Sequence, residues 1–162
     1  MIHRMKILLC GLGNRGRGDD GFGPYVIDHI EHRDHIILMD CALSVENYLN
    51  KIVDYRPDLI IFFDTIQKEG QKPVLLREEE MLDNVSISLS THNLPLRAVY
   101  DYLKELSQAA VWLYGVPSHS YEQLTPETIK RAERVVSVFN SLDSQNKINI
   151  IDLYETLSTT LK

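Results

Sequence analysis

Ile7-Leu8-Leu9-Cys10-Gly11-Leu12-Gly13-Asn14-Arg15-Gly16-Arg17-Gly18-Asp19-Asp20-Gly21-Phe22-Gly23-Pro24 is the stretch on which the reading of this chain turns. Its first four residues have the length and apolar character of a buried strand. Glycine then fills five of the eleven positions from Gly11 to Gly21, so the backbone can take conformations closed to other residues. Two carboxylates stand side by side before Pro24, a residue suited to the first turn of a helix. Strand, glycine loop and helix start, with acid at the loop's end, read as one wall of a ligand or active site.

Outward from that stretch, strand and helix patterns alternate. Met5 to Cys10 reads as the first strand. A helix from Pro24 to about His32 follows, with Tyr25, Val26 and Ile30 inward and His29 beside them. Ile36-Ile37-Leu38-Met39 is a second strand ending at Asp40, and Ser44 is a cap for a helix carrying Val45, Tyr48, Leu49, Ile52 and Val53. Leu59-Ile60-Ile61-Phe62-Phe63 is the strongest strand signal, stopping at Asp64-Thr65. A turn over 67–73 and a short strand around Val74–Leu76 come next, then the acidic run Glu78-Glu79-Glu80, read as a solvated face. Val85 to Leu89 alternates apolar residues with Ser, as a one-sided strand does. Ser90-Thr91-His92-Asn93 precedes a helix to about Leu106 with Leu96, Val99, Tyr102, Leu103 and Leu106 on one side. Val111-Trp112-Leu113-Tyr114 is a further strand closed by Gly115-Val116-Pro117. Thr125-Pro126 opens a helix with the stripe Ile129, Ala132, Val135, Val136 and Phe139. Ile148 to Lys162 has amphipathic helical spacing, although Ile148 to Ile151 alone also suits a strand.

This alternation predicts a three-layer α/β/α fold with a mainly parallel twisted sheet of about five strands. Residues 1–143 form the single α/β domain and residues 144–162 an amphipathic C-terminal extension. In such sheets ligands bind beyond the carboxyl ends of the strands, which selects the Gly11–Gly23 loop, Asp40, Asp64-Thr65 and the Gly115–Ser120 loop.

The 162 residues are 44% hydrophobic and 25% charged, with a formal net charge of −6. That balance suits a globular protein and argues against an extended nucleic-acid surface. No apolar run approaches a membrane span, and the apolar residues near the N-terminus are too few for a secretory signal. Cys10 and Cys41, in or beside apolar runs and without a Cys-x-x-Cys arrangement, read as reduced core residues of a cytoplasmic protein.

Three constellations compete for the chemistry. Gly11-x-Gly13-x-x-Gly16 after a strand, with Asp40 ending the next, is the outline of a dinucleotide site. Against it, Pro24 implies a late helix start, and Asp19 and Asp20 oppose a phosphate. A phosphoryl-receiver pocket at the same acids lacks a suitably placed lysine in the polar loops. Asp20, Asp64 and His92 together supply two carboxylates and an imidazole, a donor set for zinc, nickel, iron or manganese with positions left open. Singly, each has a plainer role as a cap, a turn residue or a hydrogen-bonding partner. His3, His29, His32 and His35 read as surface or boundary residues, and His119 lies in a loop that can face the site.

Gly11-x-Gly13-Asn14 … Gly18-Asp19-Asp20-Gly21-x-Gly23-Pro24, then Asp64 after a hydrophobic strand, then Thr91-His92-Asn93-Leu94-Pro95-Leu96, resembles the nickel–iron hydrogenase maturation endopeptidases. The likeness is greatest to members that process the large subunit of membrane-bound, hydrogen-evolving hydrogenases, and it spans about Met5 to Leu142. The resemblance implies that Asp20, Asp64 and His92 bind a metal and carry catalysis, with Asp40 as a supporting acid. It implies removal of a C-terminal peptide from the hydrogenase large-subunit precursor after nickel insertion, with nickel presented by the substrate and no organic cofactor. Labels of aspartyl protease and of metal-binding protease would describe this same site. Arg15 and Arg17 are then placed to orient the scissile segment near Asp20. Where the family has Gly-Ile-Gln-Pro, this chain has Gly115-Val116-Pro117-Ser118, without the Gln. The tail from Ile148 lies beyond the resemblance, and suits either an extra helix on the domain or a docking element. A nucleotide- or metal-binding domain without proteolytic activity is the alternative.

Overall fold

In a computed structural model, which describes residues 4–66, 72–83, 95–143 and 147–162, five apolar segments form one sheet. They are β1 (Ile7–Leu12), β2 (Ile36–Ala42), β3 (Leu59–Ile66), β4 (Val74–Arg77) and β5 (Ala110–Pro117). The order across the sheet is β2-β1-β3-β5-β4, with β4 antiparallel to β5 and every other pairing parallel. β1 and β3 are buried along their whole length. Their nearly continuous apolar sequence follows, because a parallel sheet is covered on both faces.

The helices are α1 (Phe22–His29), α2 (Leu49–Asp54), α3 (Glu80–Asp83), α4 (Leu96–Leu106), α5 (Pro126–Asn140) and α6 (Ile150–Thr159). The chain steps from β1 outward to β2, then back across β1 to β3. Right-handed crossovers therefore put α1 and α2 on opposite faces. α5 packs beside α1, and α4 beside α2. Phe22, Phe63, Tyr114 and Phe139 meet between α1, β3, β5 and α5, with ring centroids 5.8–6.1 Å apart. Each buried ring of this kind stabilises the fold by roughly 1.5–3 kcal/mol.

The C-terminal extension packs on this same face. Asn149 caps α6, accepting from the Ile151 N–H at 2.8 Å, so the Ile148–Ile151 run starts a helix rather than a strand. Leu153 and Leu157 are buried, and Tyr154 meets Trp112 edge-on. The hydroxyls of Tyr114 and Thr160 are 2.6 Å apart, and Arg131 donates to the Thr160 carbonyl.

Several local expectations are corrected. α1 begins at Phe22, ends at His29, and leaves His29 exposed against the ring of Tyr25. Ser44 makes no side-chain cap, and a 3-10 turn precedes α2. β3 and β5 run on through Asp64–Ile66 and Gly115–Pro117, because those residues pair with one another. Glu78 is no solvated residue: it accepts from the Tyr100 hydroxyl at 3.0 Å and from the Val111 N–H. Burial first, and the Glu78 carboxylate second, push the Tyr100 phenol up to about 12. His35 is buried, not at the boundary. The Val85–Leu89 strand and His3 lie outside the described residues.

Cys10 and Cys41 are not independent core residues either. The register of β1 on β2 shifts between Gly11 and Leu12, so Asp40 pairs with Gly11 and Ala42 with Leu12. The extra residue, Cys41, turns toward Cys10, and the two form a disulfide with Cα atoms 6.3 Å apart. A bulge of this kind has no signature in the spacing of the two cysteines.

Candidate active site

β1 sends its connection toward β2, whereas β3 sends its own toward β5. The crevice beyond the ends of these two neighbouring strands is the switch point of the sheet, where ligands bind in open α/β folds. The glycine loop after β1 fills one side of that crevice, and the end of β3 forms the other.

The loop is shaped by its own hydrogen bonds. Gly13 has φ +127°, and a Cβ there would run into the Asp20 carbonyl oxygen. The turn Gly18–Gly21 is a 3-10 turn that leads straight into α1. Asp20 is buried at its centre, and its Oδ2 accepts from the Asn14 N–H at 2.9 Å. Its Oδ1 accepts from the Thr65 hydroxyl at 3.0 Å. Asp64, fully buried, accepts at Oδ1 from the Thr65 N–H at 2.8 Å. Thr65 thus holds one carboxylate with its backbone and the other with its side chain. Asp20 sits in a turn and Asp64 at a strand end, rather than both in free loops.

Asp19 points the other way. It is fully buried and accepts from the His119 N–H at 2.8 Å, the Thr125 N–H at 2.8 Å and the Thr125 hydroxyl at 2.9 Å. Thr125 is the N-cap of α5, so this carboxylate sits where a helix N-terminus favours negative charge. Asp19 joins the glycine loop to the 118–125 loop, and nothing in its sequence context distinguishes that task from the role of Asp20. Thr65 is among the strand-end residues that pattern selects, but its bond to Asp20 is not part of that pattern.

Asp40 lies on the β2 flank of the site. Its Oδ1 accepts from the Ala42 N–H at 2.9 Å, and its Oδ2 pairs with Arg15. Arg15 also meets Asp28 at 2.5 Å. Hydrogen bonds to Asp28 and then to Asp40 hold the guanidinium well above its ordinary range. The His119 ring lies against α5, with Nε2 3.6 Å from the Glu127 carboxylate, in a small cleft with Pro73, Val116 and Pro117. His92 lies outside the described residues. Among the described residues no three His, Cys, Asp or Glu side chains group as a metal site.

The dinucleotide outline fails on the loop's own N–H groups. Gly13 donates to Ala42 O, Asn14 to Asp20, Gly16 to the Asn14 side chain, Arg17 to Asn14 O, Asp19 to Ser120 O and Asp20 to Arg17 O. Six amides that would cradle a phosphate are committed within the fold, one of them to the Asp20 carboxylate.

The fold and site therefore define a three-layer α/β protein whose glycine loop is folded around carboxylates and has its amides committed within the fold. No family model matches the chain. It is 30% identical over 140 residues to the hydrogenase 3 maturation protease of Escherichia coli strain K12, covering 85% of this chain and 88% of that one. The crystal structure of the [NiFe] hydrogenase maturation protease HycI from Thermococcus kodakarensis KOD1 matches with a TM-score of 0.70 at 28% identity, over 96% of this chain and 94% of that one. A match of that extent reaches past residue 143 into the C-terminal extension. The solution structure of the endopeptidase HycI from Escherichia coli, 22% identical, shares the fold with a TM-score of 0.70 over 88% of this chain and 96% of its own. The chain belongs to the hydrogenase maturation proteases, and it is a peptidase.

Proposed function

We propose that this protein removes a C-terminal peptide from the large-subunit precursor of a nickel–iron hydrogenase once nickel has been inserted. The observation that carries this reading is the pair of buried carboxylates, Asp20 and Asp64, held on opposite donors of Thr65 at the sheet's switch point. Carboxylate oxygens with an imidazole suit a divalent transition metal. Asp20, Asp64 and His92 are the residues assigned to hold the nickel that the substrate brings, with no organic cofactor. Asp40, tied to Arg15, is the supporting acid that fixes the β2 flank of the loop. Recognition of a metal already seated in the precursor makes cleavage conditional on loading. The fixed carboxylates also set the scissile segment beside acidic groups able to accept a proton, so the label aspartyl protease and the label metal-dependent protease fall on one site.

The partner is the precursor protein. Among the described residues no helix is long and apolar enough to cross a membrane. The test is to incubate the protein with nickel-loaded and nickel-free precursor and to follow intact mass. A mass loss equal to one C-terminal peptide, in the nickel-loaded sample alone, is the expected result. No cleavage of either form overturns the reading.

A further inference from the structure

The glycine loop carries two arginines, and the fold uses them differently. Arg15 is committed, bridging Asp28 and Asp40 on the β2 flank. Arg17 is exposed on the β5 flank, and among the described residues no carboxylate pairs with it. Its guanidinium carbon instead lies 5.2 Å from the centroid of the half-exposed Tyr121 ring. We propose that Arg17, braced on Tyr121, binds a carboxylate of the precursor's C-terminal segment and so positions the scissile peptide over Asp20 and Asp64. This assignment rests on the function proposed above.

The bracing is built into the backbone. Gly18 has φ +56°, and a Cβ there would meet the Ser120 and Gln123 carbonyl oxygens and the Tyr121 backbone. The Asp19 N–H donates to Ser120 O at 2.8 Å, while its side chain holds His119 and Thr125. The segments bearing Arg17 and Tyr121 are therefore locked together on both sides of the contact. The Asp20 N–H donates to Arg17 O at 3.1 Å, which fixes the backbone of Arg17 relative to that of Asp20. A planar guanidinium stacked on an aromatic face keeps its N–H fork ordered and directed outward, the geometry that a carboxylate takes in two parallel hydrogen bonds. The site needs such a group: two buried acids in a chain of net charge −6 repel an anionic peptide tail. Among the described residues, Arg17 is the cation on that rim left open to it.

The carboxylate is either an acidic side chain or the terminal carboxylate of the precursor, and the test separates them. Steady-state cleavage of nickel-loaded precursor is measured for the wild type, Arg17→Ala, Arg17→Lys and Tyr121→Ala. Arg17→Ala is expected to raise KM about tenfold or more with kcat little changed, as loss of one charge-assisted pair requires. Arg17→Lys and Tyr121→Ala fall between. Precursors with tail Asp and Glu replaced by Asn and Gln, and a precursor with a short glycine extension that displaces the terminal carboxylate, are then compared. One of the two changes raises KM for the wild type and adds nothing for Arg17→Ala, and that change names the source. An unchanged KM for Arg17→Ala, or penalties that multiply for both precursor changes, overturns the assignment. Failure of the wild type to cleave the unaltered precursor sinks the proposed function as well, so the two failures are told apart by the wild-type arm.

Discussion

Asp19 and Asp20 are identical side chains, adjacent and both buried, yet they turn in opposite directions. Asp19 accepts from the backbone of His119 and from both donors of Thr125, so its removal strands two backbone donors inside the protein and leaves the Thr125 hydroxyl only Thr128 to donate to. Asp20 has two donors, and an Asn in its place can accept from Asn14 N–H and donate to the Thr65 hydroxyl. The two substitutions should therefore separate stability from activity. Asp19→Ala is expected to lower unfolding free energy by about 3 kcal/mol or more in urea titration. Asp20→Asn should change it by about 1 kcal/mol or less, while precursor cleavage falls by about a hundredfold or more. Equal losses of stability in both variants would contradict this division.

At the level of elements, the sheet strands and long helices were legible because apolar period and run length report burial directly. Leu59–Phe63 announces β3, and the Leu96, Val99, Leu103 stripe announces α4. Strand ends were not legible, since Asp64, Thr65 and Gly115 look like loop residues until each is paired across the sheet. The same holds for Cys41, whose place in a bulge depends on the register of β1. Asp64 was legible as a candidate because it follows an apolar run, and Asp20 because it ends the glycine loop after β1. The bond from Thr65 to Asp20 was not, because it exists only when β3 stands beside the loop. The extension α6 shows the converse: its amphipathic spacing was plain in sequence, but its partner was not. Leu157 is fully buried there, close to the Tyr114–Thr160 contact. Leu157→Ala is expected to cost about 2–5 kcal/mol in urea denaturation, as for other buried leucines. A cost below about 0.5 kcal/mol would mean that α6 is not docked on the domain in solution.

For the whole molecule, the end of the sheet opposite the active site carries a feature that ties stability to pH. His35 precedes β2 and is buried, and among the described residues neither ring nitrogen has a hydrogen-bond partner. Burial is the main cause that lowers its pKa below the usual histidine value; Arg4 and Arg33 lower it further, and Asp34 opposes them. The folded protein therefore disfavours the protonated ring. In the unfolded chain the same histidine takes up a proton near its ordinary pKa of about 6.5. As pH falls below that value, the unfolded state binds more protons than the folded one, so stability drops until the folded-state pKa is reached. Above about pH 7 the residue is neutral in both states, and its contribution does not vary with pH. Urea midpoints measured at pH 7.5, 6.5 and 5.5 should thus decline on the acid side, and His35→Phe should flatten that decline by removing the group that titrates. Since His35 is remote from Asp20 and Asp64 across the length of β1 and β3, the variant should leave precursor cleavage at pH 7.5 unchanged. An acid-side slope equal in wild type and variant would assign the pH dependence to other groups.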